Sequence, residues 1–168
     1  FKTVSKEWTS GEVFSISLPM EVKVCENPVY GMYVERGPIL YSYPILAEVE
    51  EDTKVYENLA GKVSGNPDFK SWSMTPAGKW NYALDAGKLD QIRVKKHDRT
   101  GFPFDLGQSP VTIEVPVVGV KGWTLVDERF TPALPERFVA EESSAQTIEL
   151  VPYGSTTLRL TTFPVYGR

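Results

Sequence analysis

The chain has 168 residues, of which 41% are hydrophobic, 24% charged and 12% aromatic. Such a chain can bury the core of one ordinary domain, or of two small ones. The net charge of -4 is the balance of 18 Lys and Arg against 22 Asp and Glu. It argues against a nucleic-acid partner, which needs a concentrated positive face. No apolar run approaches the ~18 residues that span a membrane, so we expect no membrane partner either.

Two strands are predicted near the start of the chain from the alternation of apolar and polar residues. Phe14, Ile16 and Leu18 alternate with serines, and Met20, Val22 and Val24 alternate with charged residues. A period of two is typical of half-buried strands. Pro19 lies between the two runs, and its missing N–H favours a bulge or corner there.

More strands are predicted from runs rich in β-branched and aromatic residues, at 30–35, 38–43, 72–74, 80–84, 91–95, 111–120, 123–126, 147–151 and 156–163. Residues 48–70 show no sustained period and are predicted as irregular connection, and only 135–146 could hold a helical turn or two. Many strands with little helix predict an all-β fold, an antiparallel β-sandwich or jelly-roll-like arrangement.

The predicted core takes the inward-facing member of each alternating pair. We expect it to contain Phe14, Ile16, Leu18, Val22, Ile113, Val115, Leu158 and Leu160. Trp80 and Tyr82 are expected to share one strand face, with Asn81 on the other. The whole chain, 1–168, is expected to form a single β-sandwich region.

The sequence offers no recognisable catalytic or metal-binding residues. Cys25 is the single cysteine and has no neighbours at metal-ligand spacing. His97 is the single histidine and lies in a polar turn, away from any nucleophile motif. We therefore predict no catalytic residue, no metal and no cofactor.

Five segments taken together resemble a known family. They are Trp8 to Met20 (WTSGEVFSISLPM), Glu35 to Tyr41 (ERGPILY), Trp80 to Leu84 (WNYAL), Trp123 to Arg129 (WTLVDER) and Leu150 to Pro164 (LVPYGSTTLRLTTFP). In this order they resemble the region that follows the catalytic barrel in glycoside hydrolase family 127-like proteins. These are the β-L-arabinofuranosidase-like proteins once called domain of unknown function 1680.

The resemblance implies that the chain is a C-terminal part of a larger glycosidase. An upstream (α/α) barrel of the same parent chain would carry the active site, which in family 127 uses a cysteine nucleophile in a zinc site and a glutamate acid/base. Residues 1–25 would pair with a preceding sandwich. Plant polysaccharide degradation and a periplasmic or extracellular location follow from the same resemblance, and contacts within a homo-oligomer are a further role for such a domain.

Four aromatic residues are candidates for carbohydrate binding: Trp72, Trp80, Tyr82 and Trp123. Aromatic faces stack on the C–H faces of sugar rings, and they also fill cores and domain interfaces. Three functions follow. The chain is a non-catalytic accessory domain that supports the barrel, an independent carbohydrate-binding module, or an immunoglobulin-like interaction domain.

Overall fold

The computed structural model describes residues 3–29, 31–52, 56–58, 61–63, 70–128 and 130–167. Within these ranges the chain forms thirteen strands and two short 3₁₀ helices, which confirms the predicted all-β fold. The strands are β1 Val22–Asn27, β2 Gly31–Arg36, β3 Ile39–Pro44, β4 Ala47–Glu51, β5 Tyr56–Asn58, β6 Gly61–Val63, β7 Trp72–Pro76, β8 Tyr82–Asp85, β9 Arg93–Lys96, β10 Val111–Gly119, β11 Gln146–Pro152, β12 Arg159–Leu160 and β13 Val165–Tyr166. The 3₁₀ helices cover Ala86–Gln91 and Tyr153–Ser155.

One large sheet contains nine of the described strands, in the order β1-β2-β3-β11-β10-β8-β13. Strand β12 pairs with β3, and β9 pairs with β10. All of these pairings are antiparallel except β13 with β8, which is parallel. On one edge, β10 pairs first with β9 and then with β8, and Pro116 lies between these two pairings. Its missing N–H therefore interrupts no hydrogen bond along that edge.

The large sheet closes on itself through residues 158–166. Strand β12 in this segment pairs with β3, and Phe163 then exchanges two backbone hydrogen bonds with Met32 of β2, at 2.9 and 2.8 Å. Two residues later Val165 pairs with Leu84 of β8. Strands β8, β10, β11, β3 and β2, together with residues 158–166, therefore form a closed circuit of hydrogen bonds, which we call the ring.

Gly31 permits the close approach of β2 to the segment that closes the ring. Its φ of +80° is a conformation that only glycine adopts without strain. A Cβ at this position would overlap the carbonyl oxygen of Phe163, and the carbonyl carbon of Phe163 would lie 3.1 Å away. Glycine is thus required here both by conformation and by space.

The hydrophobic core packs against the strands of the ring. Its fully buried side chains include Val34, Tyr41, Leu84, Ile113, Val115, Val117, Val120, Leu150 and Phe163. The prediction is correct for Ile113, Val115 and Leu160, which are buried, and Val22 is half-buried against the core. Leu158 is half-buried, so its side chain belongs to the core only in part.

The predicted burial of Phe14, Ile16 and Leu18 is wrong. Their side chains are 54%, 72% and 76% exposed, and residues 3–21 form no strand. The alternation is present, but none of these residues has a strand partner within the described part of the chain. Local contacts shape the segment instead: the rings of Trp8 and Phe14 meet edge to face at 6.0 Å.

Several predicted boundaries also need correction. Residues 123–126 form no strand among the described residues, and Val126 makes an isolated bridge to Phe130. In 156–163 only Arg159 and Leu160 are in a strand, and 135–146 contain no helix. Residues 48–70 were predicted to be irregular, yet β4 pairs with β7 and β5 with β6 in two small sheets; residues 53–55, 59–60 and 64–69 lie outside the described part.

Candidate functional site

A cleft of about 390 Å³ opens beside the closing segment of the ring. Its walls combine aromatic and aliphatic side chains with three threonines and one arginine. The lining residues are Ile45, Pro76, Trp80, Trp123, Leu125, Thr131, Pro132, Leu134, Tyr153, Leu158, Arg159, Leu160, Thr161 and Thr162. A mostly apolar concavity with a few polar groups is the usual character of a small-molecule site.

Trp80 and Trp123 form one wall of the cleft. Trp80 lies two residues before β8, and Trp123 follows β10 after a turn at Gly122. The two rings meet at 4.9 Å between centroids with an interplanar angle of 61°. Trp123 is buried, and its Nε1 donates to the carbonyl oxygen of Ala133 at 3.0 Å. Trp123 thus holds the proline-rich stretch 130–135 against the sheet and supports Trp80, which is half-buried.

Tyr153 and Arg159 form another part of the wall. The guanidinium of Arg159 lies over the ring of Tyr153, 3.6 Å from its centroid. Its Nη1 donates to the carbonyl oxygens of Tyr153, at 3.4 Å, and of Thr156. These contacts fix both the plane and the direction of the guanidinium. Among the described residues no carboxylate forms an ion pair with Arg159.

The four aromatic candidates from the sequence separate in the structure. Trp80 and Trp123 both line the cleft. Tyr82 is buried and packs edge to face on Tyr43 at 5.3 Å, and burial raises its pKa. Asn81, between Trp80 and Tyr82, donates to the carbonyl oxygen of Val120 at 2.6 Å.

Trp72 is on β7, 54% exposed, outside the cleft lining. The β4–β7 register pairs Val49 with Met74, and period two places Trp72, Met74 and Pro76 on one face. Because Pro76 lines the cleft, this apolar face leads from Trp72 to the rim.

A polar cluster lies next to Trp80 in sequence and fastens residues 140–144 to the sheet. Glu141 forms an ion pair with Lys79 and accepts from Asn81 at 3.0 Å. The Ser144 hydroxyl accepts from the backbone N–H of Gly119 at 2.9 Å. Lys79 and then Asn81 hold the pKa of Glu141 below its ordinary value. The cluster contributes structure rather than an acid/base pair, because its carboxylate is already bound to a cation.

The single cysteine and the single histidine have local partners. Burial, and next the neighbouring Glu35, raise the pKa of the Cys25 thiol. A ring nitrogen of His97 lies 2.7 Å from the hydroxyl of Thr112. The described residues bring together no group of three or more His, Cys, Asp or Glu side chains suited to a metal ion.

Sequence reasoning did not identify Tyr153 and Arg159 as site residues. They are six positions apart, and the 3₁₀ turn Tyr153–Ser155 is what brings the guanidinium over the ring. The available signal was the presence of an aromatic and a cation in the segment 150–163, which also carries the family resemblance. No helix in the described ranges has the length and apolarity of a membrane span. Comparison with protein-family models, curated proteins and solved structures found no match for this chain.

Proposed function

We propose that this chain is a non-catalytic accessory β domain of a glycoside hydrolase, and that it supports the catalytic barrel of the same parent chain. The observation that carries the proposal is the exposure of an alternating apolar segment. Phe14, Ile16 and Leu18 have the pattern of a buried strand face and lie open to solvent. A second surface that covers them accounts for both facts.

The free energy available from such docking is considerable. Each large apolar side chain contributes about 1.5–3 kcal/mol when it passes from water to a packed interior. Val13 and Trp8 are exposed in the same segment. Five such side chains, covered even in part, are enough to fix a neighbouring domain against this one.

The edge of the large sheet supports the same proposal. Strand β1 is the terminal strand in the order of the large sheet among the described residues. Unpaired edges accept an added strand through backbone hydrogen bonds. Residues 3–21 lead directly into β1, so a preceding sandwich can meet the exposed segment and this edge together.

The test compares the parent protein with variants at the exposed segment. Ile16→Thr with Leu18→Thr keeps strand propensity and removes apolar surface. In the parent protein we expect this double variant to uncouple the unfolding of the two domains, so that calorimetry shows two transitions in place of one. Val49→Thr, at a site that is also exposed, is the control and keeps the single transition. Unchanged coupling in the double variant contradicts the proposal.

The alternative is an independent carbohydrate-binding module, which the aromatic cleft supports. A glycan array probed with the purified chain tests this alternative, and the coupled unfolding of the parent protein tests the supporting role separately. Homo-oligomer contacts through the exposed segment, a role in plant polysaccharide degradation, and a periplasmic or extracellular location belong to the proposal through the family resemblance.

A further inference from the structure

We propose that the cleft between Trp80 and Arg159 binds a saccharide that carries a carboxylate, that is, a uronic acid within an oligosaccharide. Trp80 supplies a stacking surface for one sugar ring, and Arg159 binds the carboxylate. This inference concerns a different surface from the docking segment 3–21. Its test is independent of the test of the supporting role proposed above.

The aromatic part of the cleft suits a sugar ring. Trp80 is held from behind by the buried Trp123, so its ring is presented at a fixed angle. Tyr153, 43% exposed, presents a second ring at the mouth. Rigid aromatic rings recognise a flat apolar face at small entropic cost, and nearby hydroxyls of Thr131 and Thr162 suit the polar rim of a sugar.

The charge in the cleft selects an acidic ligand. A guanidinium has five N–H donors, and those on Nη1 of Arg159 already bond to two backbone carbonyls. The edge formed by Nε and Nη2 keeps its donors, and no carboxylate of the described residues pairs with it. That edge has the geometry of a bidentate contact with a carboxylate.

The guanidinium is also preorganised for this contact. Stacking on Tyr153 and the bonds to the 3₁₀ turn hold it in one orientation before any ligand arrives. Such fixed donors bind an anion without losing rotamer freedom on binding. The cleft volume of about 390 Å³ lies at the small end of the ~300–1,000 Å³ range of ligand pockets, which fits one or two sugar rings.

The experiment titrates the chain with two disaccharides that differ only in the carboxylates: α-1,4-linked digalacturonate and the neutral α-1,4-linked galactose disaccharide. Binding is measured by calorimetry and by tryptophan fluorescence. We expect digalacturonate to bind at least about tenfold more tightly than the neutral disaccharide, the scale of a charged hydrogen-bonded contact. Added salt should weaken the acidic ligand alone, because salt screens the guanidinium.

Three variants in the cleft and one control outside it assign the binding. Arg159→Gln should reduce affinity for digalacturonate by about tenfold or more and leave the neutral disaccharide within about twofold. Trp80→Ala should weaken both ligands, and Tyr153→Leu serves in its place should Trp80→Ala fail to fold by circular dichroism. Trp72→Ala removes an exposed tryptophan outside the cleft and should change nothing.

Several results overturn the proposal. They are the absence of digalacturonate binding by the native chain, equal affinity for the two disaccharides, or an unchanged preference in Arg159→Gln. Loss of binding in Trp72→Ala with retention in Trp80→Ala would place the site on the β4–β7 sheet and likewise refute the cleft. None of these results bears on the coupling of unfolding in the parent protein, which tests the supporting role.

Discussion

Substitution of Gly31 by alanine tests whether the ring depends on the close approach of β2 to Phe163. Two costs combine at this position. A non-glycine residue held at positive φ loses about 1–2 kcal/mol. The added Cβ also overlaps the Phe163 carbonyl, and relief of that overlap must displace the two Met32–Phe163 hydrogen bonds, each of which contributes about 0.5–1.5 kcal/mol net.

The sum predicts that Gly31→Ala lowers the free energy of unfolding by about 2–5 kcal/mol. The free energy of unfolding of a whole domain is only about 5–15 kcal/mol. The expected loss is therefore a large fraction of the total stability. Urea unfolding followed by tryptophan fluorescence measures it. Each kcal/mol should also lower the melting temperature by about 2–4 °C at this chain length.

Gly122→Ala is the matched control. Gly122 has a similar φ of +75°, and a Cβ there meets nothing within 4 Å. It should cost only the conformational part, about 1–2 kcal/mol. Equal losses of unfolding free energy in the two variants would show that the overlap with Phe163 costs nothing. Ring closure would then not depend on a glycine at position 31.

Three further predictions concern core, charge and chemistry. Leu150→Ala should lower the free energy of unfolding by about 2–5 kcal/mol in urea melts, because Leu150 is fully buried. Leu18→Ala in the isolated chain should change it by no more than about 0.5 kcal/mol. Equal losses in the two variants would show that the core is wrongly assigned. The pKa of Glu141 is lowered in the fold, chiefly by Lys79, so its contribution to stability is present above its ordinary pKa of about 4.3 and is lost as the pH falls through the lower folded value. Glu141→Gln should therefore be less stable than the native chain at neutral pH and approach it on acidification, and a pH-independent difference would contradict the ion pair. The isolated chain should hydrolyse no aryl furanoside or pyranoside, β-L-arabinofuranosides included, and turnover that disappears on mutation of one of its own carboxylates would refute the non-catalytic role.

The sequence predicted the central strands well because their partners are close or their pattern is unambiguous. Strands β2 and β3 are joined by the turn at Gly37 and Pro38, so their pairing is local. Strand β10 has nine residues, of which only Thr112 and Glu114 are polar, and it is buried on both faces over most of its length. Local pairing and continuous apolarity are both visible without a structure.

The N-terminal segment shows where the same reasoning fails. Alternation at 14–18 reports which side chains share a face, and it carries no information about whether a partner strand exists. Prediction of the segment that closes the ring, 158–166, fails for a different reason. Residues 158–166 contact three different strands in turn, and each contact is too short to leave a periodic pattern.

The candidate site was predictable in part. Trp80 and Trp123 could be named because tryptophan is scarce and large. Their meeting at 4.9 Å depends on β8 and β10 being neighbours, which local sequence does not state. The contact of Arg159 with Tyr153 depends on a single 3₁₀ turn, and turns of this length leave little trace in the sequence.

Closure of the ring by residues 158–166 has a consequence for how the protein is made. During translation the strands β2, β3, β8, β10 and β11 leave the ribosome before the segment that joins the two ends of their sheet. Ser42 and Thr161, whose hydroxyls lie 2.8 Å apart, are separated by 119 residues along the chain. Contacts of such long range form slowly, and the apolar surface that they cover stays open until then. The nascent domain therefore has a late, vulnerable stage, in which the site that receives Phe163 between β2 and β8 is empty and open to chaperones.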